Sequence, residues 1–115
     1  IVLEPFASQS PFETAVFPKK HGSTFDAIST ENCRELAFVM RQILTKIGTA
    51  LNNPDYNYMI FSSPCHEREL EYFHWYVLIV PRVTSTAGFE LGSGIYINTV
   101  IPEKAAEYLR SVPVE

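Results

Sequence analysis

Tyr72-Phe73-His74-Trp75-Tyr76-Val77-Leu78-Ile79-Val80 is an unbroken run of aromatic and branched residues, closed by Pro81. Such side chains fit the pleated, half-buried surface of a sheet, and proline lacks the amide needed to continue a ladder, so the run reads as a strand. Successive side chains on a strand point to opposite faces. Tyr72, His74, Tyr76, Leu78 and Val80 therefore share one face, and Phe73, Trp75, Val77 and Ile79 share the other. Both sets are largely apolar. The strand is accordingly expected to be central in its sheet and covered on both sides. One histidine stands in the middle of it.

Working outward, a polar loop from Pro64 to Glu71 precedes this strand, and a shorter strand from Tyr58 to Ser62 precedes the loop. Upstream of that, Leu36, Met40, Ile43, Leu44, Ile47 and Leu51 recur every three or four residues. This spacing draws one apolar stripe and predicts a helix from Thr30 to Leu51, capped by Ser29 or Thr30 and stopped by Asn52-Asn53-Pro54-Asp55. Glu13 to Phe17 reads as a strand ending at Pro18, and residues 1–12 as extended and rich in turns. Downstream, Gly88 to Val100 reads as strand, and Pro102 opens a last helix from Glu103 to Arg110. The order is β-α-β-β-β-α. Short connections between the later strands favour an antiparallel sheet, which makes the chain one α+β domain over residues 1–115.

Composition narrows the function classes. The formal net charge is −4 over 115 residues, and of the nine basic residues only Lys19 and Lys20 are adjacent. Non-specific nucleic-acid binding needs a basic face that releases counterions, so no nucleic-acid partner is expected. No run of 18 apolar residues exists, so no membrane span is expected either. Cys33 and Cys65 make no disulfide framework and are expected to be reduced, in a cytoplasmic protein. The apolar opening Ile1-Val2-Leu3 reads as a strand of a longer or processed chain.

His74-Trp75-Tyr76-Val77-Leu78 resembles the alternating histidine signature of the histidine-triad superfamily, with tyrosine at the second position and leucine at the third. Phe17-Pro18-Lys19-Lys20-His21 resembles the strand end that precedes the long helix there. More specifically, Pro5-Phe6-Ala7 with Pro11-Phe12-Glu13-Thr14, then Asn53-Pro54-Asp55-Tyr56-Asn57-Tyr58-Met59-Ile60, resemble the C-terminal half of galactose-1-phosphate uridylyltransferases. So do Ala87-Gly88-Phe89-Glu90-Leu91-Gly92-Ser93-Gly94-Ile95-Tyr96-Ile97-Asn98 and Pro102-Glu103-Lys104-Ala105-Ala106. The likeness runs in order along nearly the whole chain, and a plant-type ADP-glucose phosphorylase of the same branch shares the pattern.

That resemblance implies a histidine-triad-like antiparallel sheet with one long and one short C-terminal helix. It implies a domain that assists nucleotidyl transfer without carrying the nucleophile. The family's nucleophilic histidine lies in a His-Pro-His motif of the N-terminal half, and no such motif occurs here. Tyr76 stands at the corresponding position, and a phenol of ordinary pKa about 10 replaces imidazole poorly. Leu78 offers a phosphoryl oxygen no hydrogen bond. The resemblance also places metal-binding histidines where this chain has Phe61, His74 and Tyr76. Only His74 is kept, so no metal or other cofactor is expected, with zinc at His74 a weak candidate. Finally, it implies that Gly88-Phe89-Glu90 reaches a partner's active site, where the Glu90 carboxylate accepts from hexose hydroxyls. The resemblance further implies that residues 84–87 lie near the sugar phosphate, with Thr84 and Ser85 where some members have basic and aromatic residues.

The expected partners are a nucleotide sugar or hexose 1-phosphate, the N-terminal catalytic half, and a second copy in a homodimer. Blander readings stand beside these. His74 reads as a satisfied core histidine, Lys19-Lys20-His21 as a solvated strand end and the aromatic cluster as core or dimer interface in preference to a functional role, whereas Glu90 reads equally as a surface carboxylate. A different class of function is a stand-alone degenerate module that binds a nucleotide sugar or a protein without chemistry. A third is a small metalloprotein using Cys65, His66 and His74.

Overall fold

The computed structural model describes residues 1–68 and 70–114. Glu69, within the predicted polar loop, and Glu115 lie outside the described residues. Seven elements follow in order: β1 (Val2–Leu3), β2 (Thr14–Val16), α1 (Thr30–Leu51), β3 (Tyr56–Phe61), β4 (Tyr76–Pro81), α2 (Gly88–Ser93) and α3 (Pro102–Ser111). The four strands form one sheet in the order β1-β2-β4-β3, antiparallel throughout. The long helix covers one face of the sheet over β2 and β4, with α3 packed beside it, and β3 is exposed along its length.

The register places β4 as the central strand. Val77 pairs with Val16 on one side and Ile60 on the other, and Ile79 pairs with Thr14 and Tyr58. Trp75, Val77 and Ile79 alternate inward and are buried, while His74, Tyr76, Leu78 and Val80 are intermediate. Ile43 and Ile47 of α1 descend onto the buried face, and Leu109 of α3 completes the cluster. Each fully buried isoleucine or valine contributes roughly 1.5–3 kcal/mol over leaving it in water.

Helix α1 has the bounds that its stripe predicts. Its Ser29 side chain accepts from the Asn32 amide at 3.1 Å, satisfying one of the unpaired first-turn donors. At the other end Asn52 and Asn53 both adopt positive φ, at 59° and 52°, which asparagine tolerates better than branched residues do. The Asn53 amide then closes on the Gly48 carbonyl at 2.7 Å.

Three expectations need correction. The β4 ladder begins at Tyr76 rather than Tyr72, because its neighbours end at Val16 and Phe61 and nothing remains to pair with. The Trp75 amide instead donates to the Gly22 carbonyl at 2.9 Å. Second, within this chain only one face of β4 is covered. Tyr76, Leu78 and Val80 share the other face with Phe17, Met59 and Phe61, and no helix lies over it.

Third, Gly88 to Val100 is not a strand. Gly88–Ser93 forms the short helix α2, and Gly94 to Val100 is irregular. A strand needs a ladder, and this segment pairs with none of the four strands. The Glu90 side chain accepts from the Ala87 amide at 3.2 Å, which starts the helix, and Gly94 at φ 70° ends it. The element order is therefore β-β-α-β-β-α-α.

Candidate functional site

The open face of the sheet carries a row of rings. Phe61 stacks on Tyr76 with centroids 4.6 Å apart and planes 9° apart, and Tyr76 stacks on Phe17 at 5.0 Å. The row continues from Phe17 to His74 at 6.4 Å and from His74 to His21 at 5.4 Å. The strand alternation and the antiparallel register together bring these residues to one side. Sequence reasoning placed His74 and Tyr76 there and did not foresee the stack, which depends on how β2 and β3 register against β4.

The two histidines are clasped. His21 Nε2 lies 2.9 Å from the Phe73 carbonyl, and His74 Nε2 lies 2.9 Å from the Pro18 carbonyl. A carbonyl only accepts, so both Nε2 atoms carry hydrogen. The clasp binds the strand end at Pro18–His21 to the approach to β4. Lys19 and Lys20 beside it are exposed. Cys33 and Cys65 are exposed and form no disulfide. Among the described residues, no three histidine, cysteine, aspartate or glutamate side chains converge on a common point, so Cys65, His66 and His74 are not brought together. Nor is any helix of the described residues long and apolar enough to cross a membrane.

Glu90 lies far along the chain from this row, on an arm that leaves the sheet at Pro81 and returns at Pro102. Phe89, Leu91, Ile95, Tyr96 and Ile97 on it are at least half exposed. Gly88 and Phe89 open α2, and Thr84 and Ser85 precede it, all exposed. One Glu90 oxygen is engaged by the Ala87 amide, and among the described residues the other has no hydrogen-bond partner. A carboxylate held by its own helix keeps one oxygen for a ligand hydroxyl.

A separate groove of about 310 Å³ lies between β1, α1 and α3, lined by Val2, Leu3, Val39, Ile43, Leu109 and the carboxyl of Glu4. Burial pushes the Glu4 pKa up from 4.5 to about 7, with Glu13 adding to the rise and the hydroxyl of Thr14, which donates at 2.6 Å, opposing it. The sequence held no signal for this group, since Glu4 precedes a proline in a stretch without periodicity.

No family model matches the chain. It is 41% identical over 114 residues to ADP-glucose phosphorylase of Arabidopsis thaliana, covering 97% of this chain and 32% of that protein. It is 32% identical over 123 residues to galactose-1-phosphate uridylyltransferase of Thermotoga maritima, covering all of this chain and 39% of that protein. The structure superposes on a crystal structure of the Arabidopsis thaliana ADP-glucose phosphorylase with bound ADP-glucose at a TM-score of 0.94, over 98% of this chain and 37% of that one. A zinc-bound histidine-triad protein of Mycobacterium smegmatis, 18% identical, shares the fold at a TM-score of 0.67 over 96% of this chain and 75% of that one. The chain thus has a histidine-triad fold and matches the C-terminal portion of galactose-1-phosphate-uridylyltransferase-like proteins. It spans between 32% and 39% of the length of these two relatives.

Proposed function

We propose that this chain serves as the C-terminal domain of a hexose-1-phosphate nucleotidyltransferase, recognising the sugar phosphate and scaffolding a dimer while another half supplies the nucleophile. The observation that carries this reading is the match of 97–100% of the chain to the C-terminal portion of such proteins; on this reading Glu90, on an arm with exposed apolar side chains, is the sugar ligand. An arm exposed on its own chain suits a role in a neighbouring site. The exposed outer strand β3 and the uncovered aromatic face offer further surface for the N-terminal half and a second copy.

On this reading the row of rings carries out no transfer. Tyr76 is stacked between Phe17 and Phe61 and the Leu78 side chain has no polar atom, which supports neither position acting as nucleophile or phosphate ligand. The residues present do not fit a bound metal either. Phe61 and Tyr76 stack where the family pattern has ligands, which leaves His74 with only His21 beside it, each bonded through Nε2 to a backbone carbonyl, and a site needs three or four donors. The domain alone is expected to give no nucleotidyl transfer or phosphorolysis.

Calorimetry tests the reading. ADP-glucose, UDP-glucose and glucose 1-phosphate are titrated into the purified chain and into Glu90→Ala. Binding by the chain that falls at least tenfold in the variant supports it; binding unaffected by Glu90→Ala would sink the role of the arm. The relative at 41% identity makes ADP-glucose the first ligand to try. Nucleotide-sugar binding without transfer, even after the missing half is added, would favour a stand-alone binding module instead.

A further inference from the structure

The arm between Pro81 and Pro102 raises a mechanical question. Among the described residues, the hydrogen bonds made by residues 84–97 stay within the arm: Ala87 amide to Glu90, Leu91 amide to Ala87, Ser93 hydroxyl to Phe89, Gly94 amide to Glu90 and Ile95 amide to Ser93. The side chains that face outward are exposed. Nothing in that stretch fixes the direction in which α2 points.

Asn98 is the exception. Its amide nitrogen lies 2.8 Å from Ser8 Oγ, 3.2 Å from the Ser10 carbonyl and 3.3 Å from the Ser8 carbonyl. Its amide oxygen accepts from the Val100 amide at 2.9 Å. The partners settle which end is which, because carbonyls surround the nitrogen and an N–H faces the oxygen. The target is itself built. Glu13 is buried, and its Oε2 accepts from the amides of Gln9 at 3.1 Å and Ser10 at 3.3 Å. The Ser8 amide closes on the Pro5 carbonyl, and the Glu13 amide on the Ser10 carbonyl. A buried carboxylate that holds two amides of a turn also orients the carbonyls of that turn, since each amide plane is rigid. Of these, the Ser8 carbonyl shares its plane with the Gln9 amide and meets Asn98; the Ser10 carbonyl, which Asn98 also meets, is held by the Glu13 amide at 3.3 Å.

We propose that Asn98 and Glu13 are positioning residues for the arm. Glu13 shapes the turn at Ser8–Ser10, and Asn98 pins the arm's returning end to it, so that Glu90 is presented in one direction. What is presented rests on the function proposed above; that the arm is pinned does not.

The test separates the two. In the whole chain with Cys33→Ser and Cys65→Ser, spin labels are placed at Leu91→Cys on the arm and Glu35→Cys on the exposed side of α1. Pulsed dipolar spectroscopy then gives the distribution of distances between them. With Asn98 present, one narrow distribution is expected. Asn98→Asp keeps the size and the acceptor for Val100 but sets an acceptor against two carbonyls, leaving only the Ser8 hydroxyl able to donate to it, and is expected to widen the distribution at least twofold with an unchanged melting temperature. Asn98→Ala, which carries no charge, is expected to widen it as well. An unchanged distribution in both variants would overturn the proposal. Sugar-phosphate binding is measured in parallel. Asn98→Asp is expected to weaken it about tenfold while adding nothing to Glu90→Ala. If the unsubstituted chain binds no sugar phosphate, the functional reading fails and the label distances still decide whether the arm is pinned.

Discussion

Glu4 is half-buried in the groove beside α1 and α3, with a pKa raised from 4.5 to about 7 chiefly by loss of water. The folded value exceeds the unfolded one, so folding favours the protonated acid. That contribution is full below pH 4.5 and is lost as the pH rises through about 7. Stability should therefore decline across this window. Glu4→Gln removes the decline and should leave the chain about 1 kcal/mol more stable than the unsubstituted protein above pH 7.5, after allowance for solvent screening. Urea midpoints taken at about pH 5 and pH 8 measure both. Identity alone gives no sign of this acid, because the same glutamate in water would behave ordinarily. His74 is the opposite case. Its place on the alternation was readable, whereas its bond to the Pro18 carbonyl needs two segments more than fifty residues apart to meet.

Helix α1 was legible to the residue because cap, stripe and stop agree: Ser29, the isoleucines at 43 and 47, and the paired asparagines point to one answer. Replacing the cap, Ser29→Ala, should cost about 1 kcal/mol in a urea titration without moving the sheet. The short helix α2 was not legible. Gly88, Gly92 and Gly94 disfavour a helix, while Phe89, Leu91, Ile95, Tyr96 and Ile97 have the composition of a strand. What decides the matter is that the segment joins no ladder of the sheet, together with one carboxylate turned back on its own backbone. Both are facts of topology rather than of local propensity.

The molecule measures 40 × 40 × 22 Å, with a radius of gyration of 15.4 Å. A compact chain of this length would have about 13 Å, so the molecule is more extended than that. Helix on sheet makes the thin dimension, and the far side of the sheet stays bare. Exposed apolar surface of this kind favours association. The chain is expected to sediment as a dimer or larger species at high concentration, and Met59→Lys, which sets a charge on the bare face of the outer strand, should shift it towards monomer in sedimentation velocity. The one tryptophan, Trp75, lies on the opposite side, 6% exposed and edge-on to Phe25 at 5.1 Å. The protein thus carries its own optical gauge. Indole emission should be blue-shifted in the native state and move to the red when the core opens. A partner or nucleotide settling on the bare face would touch tyrosine and phenylalanine rings and leave that colour unchanged, so the two events can be told apart in one cuvette.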